Sequence, residues 1–219
     1  MLKAIIFDMD GVIVKSEETY RKGFNNIMKE FVISISKQEW LERFTGRGVS
    51  YIVNTVFDEN KLQNKEKWRN RWIREYEKLV EIQGLEEVAG FFEFNLVINK
   101  TKLKKAVASG SSKESILLTL RKLGIEEEFV VASSEDLKKG KPSPEIFLKA
   151  ATALRVKPEE CVVFEDSVAG VKAAKNARMK CIALTTTEKA SALKKVKPDM
   201  IIRDFEDITL EKVSELFKS

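Results

Sequence analysis

Histidine is absent from the 219-residue chain, and this absence removes several kinds of chemistry at once. Without imidazole there is no Ser-His-Asp triad, no Cys-His pair and no zinc site built on histidine. Any proton transfer must use carboxylates, lysines, tyrosines or water. The chain also lacks an apolar stretch long enough to cross a membrane, and acids directly follow the short apolar run near its N-terminus. These absences favour a soluble protein of the cytoplasm.

Cysteine is scarce as well, and charge of neither sign dominates. Cys161 and Cys181 each lie inside an apolar run that predicts a buried strand, so they indicate core packing in a reducing compartment. The net charge of +5 arises from 39 basic residues spread among 34 acidic ones. No basic block interleaved with aromatic residues occurs. We therefore expect a small-molecule partner and neither nucleic acid nor a membrane.

Two kinds of apolar pattern divide the chain. Residues 17–83 repeat apolar side chains at helical spacing, which predicts a compact helical subdomain with its three tryptophans in the core. The rest alternates short continuous apolar runs with amphipathic segments, which indicates a parallel sheet covered by helices on both faces. The predicted strands are residues 3–7, 106–110, 129–133, 161–166, 180–184 and 199–202, and a helix near 85–94 is predicted before the second of them. We predict an α/β fold with a Rossmann-like core (1–15 and 84–219) and a helical cap (16–83) inserted after the first strand.

Polar side chains with catalytic potential follow four of these strands. The carboxyl ends of parallel strands meet at one edge of the sheet, where ligands bind in such folds. In chain order the candidates are Asp8 and Asp10, then Ser109, Gly110 and Ser111, then Lys141, then Glu165 and Asp166. Each segment alone could be a plain acidic turn, a helix cap or a loop. Their ordered occurrence at successive strand ends favours one catalytic site.

The physics of this cluster points to a metal and a phosphate. Four carboxylates at one edge repel one another unless a cation lies among them, and hard oxygen ligands favour Mg²⁺. A phosphate group could then bridge the metal, Lys141 and the amides at a helix N-terminus beside Ser109. Asp8 can attack phosphorus, and Asp10 can exchange the proton with the leaving oxygen and with water. Gly11 would allow a close backbone turn after them.

Four motifs together resemble those of the haloacid dehalogenase superfamily. They are DMDGV at 8–12, Ser109, Lys141 within GKPSPEIF at 140–147, and FEDSVAGVKAA at 164–174. The resemblance covers nearly the whole chain and is greatest to the β-phosphoglucomutase-like phosphatases. The helical insertion resembles the small α-helical cap of that branch.

The resemblance implies a role for each matching position. Asp8 corresponds to the nucleophile and a magnesium ligand, and Asp10 to the general acid and base, with its backbone carbonyl on the metal. Asp166 corresponds to a metal ligand, and Glu165 beside it completes the metal site, either as a ligand itself or by contacting one. Ser109 and Lys141 would hold the phosphate, and Lys141 would also steady Asp8.

The loop FTGRGVS at 44–50 resembles the cap loop that closes over substrate in these relatives. Gly46, Arg47 and Ser50 are therefore candidate substrate-binding residues, and Arg47 could fork onto an anionic or hydroxyl-rich group. The alternative for Arg47 is an ordinary surface arginine. A small cap is compatible with a monomer.

The branch contains both phosphatases and phosphomutases, and two departures bear on the choice. A β-phosphoglucomutase has a histidine shortly after the first motif, where this chain has Tyr20, and the pair Gly46-Arg47 resembles that of sugar- and polyol-phosphate phosphatases. Lys15 also stands where the subgroup usually has aspartate, but this does not bear on the choice. We therefore expect a magnesium-dependent phosphatase that hydrolyses a small sugar or polyol phosphate through an aspartyl-phosphate. A sugar phosphomutase and a silent phosphometabolite-binding protein remain as alternatives. Asp10 argues against a dehalogenase, because those relatives lack the second aspartate.

Overall fold

The computed structural model describes residues 1–44, 49–135, 137 and 139–218. Within these residues, no helix combines the length and the apolar character that crossing a membrane would require. The chain divides into two compact units, which are Met1–Lys15 with Glu86–Ser219, and Ser16–Leu85.

The larger unit contains a six-stranded sheet whose neighbouring strands all pair in parallel. Its strands are β1 (Ala4–Phe7), β2 (Lys104–Ser109), β3 (Val130–Ser133), β4 (Cys161–Glu165), β5 (Lys180–Leu184) and β6 (Met200–Ile202), in the spatial order β3-β2-β1-β4-β5-β6. The predicted α/β, Rossmann-like class is confirmed.

The helices of this unit follow the strands along the chain. They are α5 (Phe91–Asn99), α6 (Lys113–Lys122), α7 (Glu145–Leu154), α8 (Val168–Asn176), α9 (Ala190–Lys194) and α10 (Leu210–Glu215). Single 3₁₀ turns span Glu126–Glu128, Pro158–Glu160 and Phe205–Asp207.

Both faces of the sheet are covered, because alternate side chains of a strand point to opposite sides. On one face, Ala4 and Ile6 belong to a core of mostly small residues that also includes Phe147 of α7 and Ala173 of α8. On the other face, Phe7 meets an aromatic cluster completed by Phe91, Phe94, Phe164 and Phe205. Cys161 and Cys181 are buried free thiols in the sheet, as predicted.

One predicted helix begins in the wrong place. We expected a helix near 85–94, but α5 spans Phe91–Asn99 and begins after Gly90, whose φ of 74° is left-handed. Residues just before it pair with the chain that leaves β1. The Lys15 N–H donates to the Glu86 carbonyl at 2.8 Å, and the Val88 N–H donates to the Ile13 carbonyl at 2.9 Å. Because the Glu86 carbonyl and the Val88 N–H bond to residues 13–15, they are not available for the hydrogen bonds of a helix.

The smaller unit is helical, with α1 (Glu17–Met28), α2 (Lys37–Arg43), α3 (Val49–Glu59), α4 (Lys65–Gln83) and a 3₁₀ turn at Lys29–Phe31. Its core contains Trp40, Trp68 and Trp72, as expected from their helical spacing. Each buried indole needs a hydrogen-bond partner for its N–H. Trp72 donates to the carbonyl of Tyr20 at 2.9 Å, and Trp40 donates to the carboxylate of Glu17 at 2.6 Å.

Candidate active site

The strand order places a topological switch point between β1 and β4. From β1 the chain builds outward through β2 and β3, and it then returns to the other side of β1 with β4. The pairing register sets Phe7 beside Phe164, and the Asp8 N–H donates to the Phe164 carbonyl at 2.9 Å. Asp8 is therefore level with Glu165 at the carboxyl edge, where folds of this type bind ligands.

Three carboxylates meet at this edge. Asp8, Glu165 and Asp166 each present one oxygen, and within the described residues these oxygens all lie within 4.8 Å of one another. All three side chains are buried, Glu165 completely. The carboxylate of Asp10 does not belong to this close group. It is partly exposed and accepts a 3.4 Å hydrogen bond from the Ser111 hydroxyl.

Lys141 lies against the same carboxylates. Its Nζ is 2.9 Å from Asp8 Oδ1 and donates a short hydrogen bond to Glu165 Oε1. The ammonium also lies 5.2 Å from the centre of the Phe147 ring. Three carboxylates and one ammonium leave two negative charges in a buried site. A divalent cation with oxygen preference would balance them, so the donor set fits Mg²⁺.

The electrostatic cost of this arrangement is visible in the pKa values. Burial raises the pKa of Asp8 to about 7; Glu165 and Asp10 push in the same direction, while Lys141 opposes them. Burial also raises the pKa of Asp166, and the charges of Glu165 and Asp8 add to it. For Lys141, burial acts to lower the pKa, but Asp8 and Glu165 outweigh it and hold the lysine protonated. Burial and the repulsion between neighbouring carboxylates thus disfavour the ionised forms of Asp8 and Asp166.

Both carboxylate oxygens of Glu165 accept hydrogen bonds from protein donors. Its Oε2 accepts the backbone N–H groups of Asp166 at 2.8 Å and Ser167 at 2.7 Å, and the Ser167 hydroxyl at 3.0 Å. Its Oε1 accepts from Lys141. An added Cβ at Gly170 would lie 1.7 Å from Glu165 Oε1, so only glycine lets α8 approach this carboxylate. Close packing against Glu165 therefore explains why position 170 of the fourth motif is a glycine.

The second motif ends β2 and leads into α6. Ser109 is buried, and its hydroxyl oxygen accepts the Ser111 N–H at 3.2 Å. Ser112 caps α6 by accepting the Ser115 N–H at 3.1 Å. The carbonyl of Gly110 accepts from the Ser134 hydroxyl at 2.7 Å, which fixes the segment between strand and helix. This helix N-terminus is the element that would face an anion.

The predicted cap residues are only partly described. Gly46 and Arg47 lie outside the described residues, and Ser50 is exposed near the start of α3. Tyr20 stacks on Tyr76 with ring centroids 4.0 Å apart. Lys15 forms a short ion pair with Glu86.

The sequence interpretation missed a loop of three threonines, Thr185, Thr186 and Thr187. The Thr187 hydroxyl lies beside the Asp166 carboxylate, and the Thr186 hydroxyl donates to the Gly11 carbonyl. The signal was available, because TTT directly follows the apolar run of β5 and so lies at the same sheet edge.

Comparison with known proteins identifies the family of this chain. The family model for haloacid dehalogenase-like hydrolases matches residues 5–184. The chain therefore belongs to the haloacid dehalogenase-like hydrolase family, and the resemblance inferred from its motifs is confirmed.

Curated relatives divide by name between phosphatases and a mutase. A Thermotoga maritima protein named phosphorylated carbohydrates phosphatase is 30% identical over 220 residues, covering 94% of this chain and all of that protein. A Bacillus subtilis β-phosphoglucomutase is 29% identical over 222 residues, covering 98% and 95%. The Arabidopsis thaliana protein SUPPRESSOR OF QUENCHING 1, chloroplastic, is 30% identical over 220 residues, which cover 97% of this chain. The chain spans only 20% of the length of that last relative.

A solved structure of β-phosphoglucomutase from Clostridium difficile has the same fold. Its TM-score is 0.84 at 23% identity, with 98% of this chain and 96% of that chain covered. At this identity the likeness supports the architecture alone.

Proposed function

We propose that this protein is a magnesium-dependent phosphatase that hydrolyses a small sugar or polyol phosphate through an aspartyl-phosphate on Asp8. The observation that carries the proposal is the buried group of Asp8, Glu165 and Asp166, with the ammonium of Lys141 2.9 Å from Asp8. As a family member with relatives named phosphatases, the chain is a phosphoric monoester hydrolase.

In this proposal Asp8 and Asp166 hold the metal with side-chain oxygens, and Asp10 contributes its backbone carbonyl. Glu165 lies within the same cluster, but its Oε2 accepts three hydrogen bonds from Asp166 and Ser167 and its Oε1 accepts one from Lys141, so we assign it to holding Lys141 in place. When bound, magnesium would offset the charge of the carboxylates and of the phosphoryl oxygens. Cytoplasmic location and a monomeric state are part of the proposal.

The chain's own residues carry out the steps. Lys141 and the amides that follow Ser109 would bind the phosphoryl oxygens. A carboxylate oxygen of Asp8 forms a bond to phosphorus as the bond to the alcohol oxygen breaks, and Asp10 donates the proton that the alcohol takes away. Water then attacks phosphorus and loses its proton to Asp10. This frees Asp8 and releases inorganic phosphate.

We also propose that the helical unit selects the substrate, with Gly46, Arg47 and Ser50 as its contributing residues. This assignment rests on the resemblance of FTGRGVS to the substrate loop of small helical caps. A hydroxyl-rich phosphate ester suits an arginine and a serine as partners.

A phosphomutase is the second candidate, supported by the Bacillus subtilis relative. A mutase must keep water from the aspartyl-phosphate and present a sugar hydroxyl instead. The complete absence of histidine, with Tyr20 stacked on Tyr76 at the matching position, favours hydrolysis. A silent binding protein would have no need for the Lys141–Asp8 ion pair.

The test is a panel of phosphorylated metabolites and p-nitrophenyl phosphate, assayed for phosphate release with and without Mg²⁺. We expect metal-dependent release by the wild type and none by Asp8→Asn. The exposed Asp58, which pairs with Lys65, gives a matched control, and Asp58→Asn should keep the activity. A wild type that releases no phosphate with any divalent metal would favour the binding protein.

The mutase is tested separately with β-glucose 1-phosphate and a bisphosphate primer. Glucose 6-phosphate formed without free phosphate would replace the phosphatase proposal by the mutase. Free phosphate without an isomerised sugar supports hydrolysis.

A further inference from the structure

The loop that follows β5 contacts two other segments of the acidic site through threonine hydroxyls. The Thr187 hydroxyl lies beside the carboxylate of Asp166, at the end of β4, and opposes the rise in the pKa of that carboxyl. Thr186, the preceding residue, donates from its hydroxyl to the carbonyl of Gly11, in the turn after β1. The Thr185 N–H donates to the carbonyl of Ile202 at 3.0 Å, which ties the loop to the end of β6. The loop is therefore anchored at two residues just before Thr187.

The space around this contact is filled. Gly11 has a φ of +75°, and a Cβ built there would lie 1.8 Å from Asp166 Oδ2 and 2.6 Å from Thr187 Oγ1. The turn after β1, the end of β4 and the loop after β5 thus touch at one point. Asp166 has little freedom to turn away on this side.

Asp166 needs a neutral donor more than the other acids of the site do. Lys141 bonds Asp8 and Glu165, while Asp166 is buried beside both of these negative charges. Repulsion would turn an unrestrained carboxylate away from them. A hydroxyl can hold the carboxylate in place without bringing a positive charge that would compete with a metal ion.

We propose that Thr187 is a positioning residue that orients Asp166 toward the cation, with Thr186 holding its loop against the turn at Gly11. This inference rests on the proposed metal-dependent function. It extends the site beyond the four motifs, to a loop whose threonine hydroxyls touch a proposed ligand and the backbone turn beside Asp8 and Asp10. Protein groups that hydrogen-bond a metal ligand typically strengthen metal binding 10- to 100-fold.

The experiment measures Mg²⁺ binding to the substrate-free protein by isothermal titration calorimetry. Thr187→Val keeps the shape but removes the hydroxyl, and we expect its Mg²⁺ affinity to fall about tenfold. Thr187→Ser restores the donor and should bind within about twofold of the wild type. Thr185→Val, a control in the same loop, should also be unchanged.

Unfolding in urea with a chelator present checks the fold of each variant, and Thr187→Ala replaces Thr187→Val if the latter does not fold. Wild-type affinity in both donor-lacking variants would overturn this inference and leave the proposed function standing. Equal loss in Thr187→Ser would also overturn it, because a packing role would then explain the loss. A wild type that binds no Mg²⁺ would refute the proposed function, and this inference with it.

Discussion

The raised pKa of Asp8 predicts how the metal-free protein responds to pH. In the folded state the pKa is about 7, against an ordinary value of 3.8, mainly because the carboxyl is buried. Between these two values the folded protein binds more protons at this site than the unfolded chain does. The contribution of Asp8 to stability is therefore fully present below about pH 3.8 and is lost as the pH rises to about 7.

The size of this effect follows from the same two values. At about 1.4 kcal/mol for each pKa unit, the difference corresponds to about 4 kcal/mol of unfolding free energy. That is a large share of the stability of an ordinary domain. Asp8→Asn provides the reference, since its amide does not titrate while the other acids of the site remain.

The assay is urea unfolding of both proteins in a chelator, from pH 4 to pH 8. We expect the wild type to lose up to about 4 kcal/mol relative to Asp8→Asn across this range, with most of the loss complete by pH 7. Magnesium added at pH 8 should then stabilise the wild type by about 2.7 kcal/mol at a hundred times its dissociation constant, and the variant less. Stability curves that run parallel at every pH would refute the argument that burial holds Asp8 protonated.

Three further predictions concern buried groups, each read from urea unfolding. Thr119 is fully buried, and its hydroxyl has no hydrogen-bond partner in the described part of the chain. Thr119→Val should therefore stabilise the fold by about 1 kcal/mol. A loss of stability would show that the hydroxyl forms a hydrogen bond in the folded protein. Gly170→Ala places a Cβ 1.7 Å from Glu165 Oε1, so it should lower the free energy of unfolding by about 1–3 kcal/mol and remove most of the activity. Unchanged stability and activity would contradict the close packing of α8 on Glu165. Lys105→Met removes the buried ammonium that pairs with Glu128 at 2.7 Å, and this should lower the free energy of unfolding by about 3 kcal/mol. Adding Glu128→Gln should restore part of that stability. If it restores none, an unpaired charge is not the cause of the loss.

Local patterns were sufficient to predict the sheet strands and the residues at their ends. A buried parallel strand is a continuous apolar run, and the polar residues after it mark its carboxyl end. AIIF before Asp8 and CVVF before Glu165 are such runs, and every residue in both strands is buried. The helix start at Phe91 could not be predicted in this way, because residues 86–88 pair with residues 13–15, far away in the sequence.

What the sequence by itself determined is the set of side chains at the sheet edge, because apolar periodicity and strand ends are local properties of the chain. Only the tertiary structure decided which of them touch. The strand order brings Lys141 to both Asp8 and Glu165, and it carries Thr187 to Asp166. These contacts depend on how strands distant in sequence lie side by side, and no window of neighbouring residues contains that information.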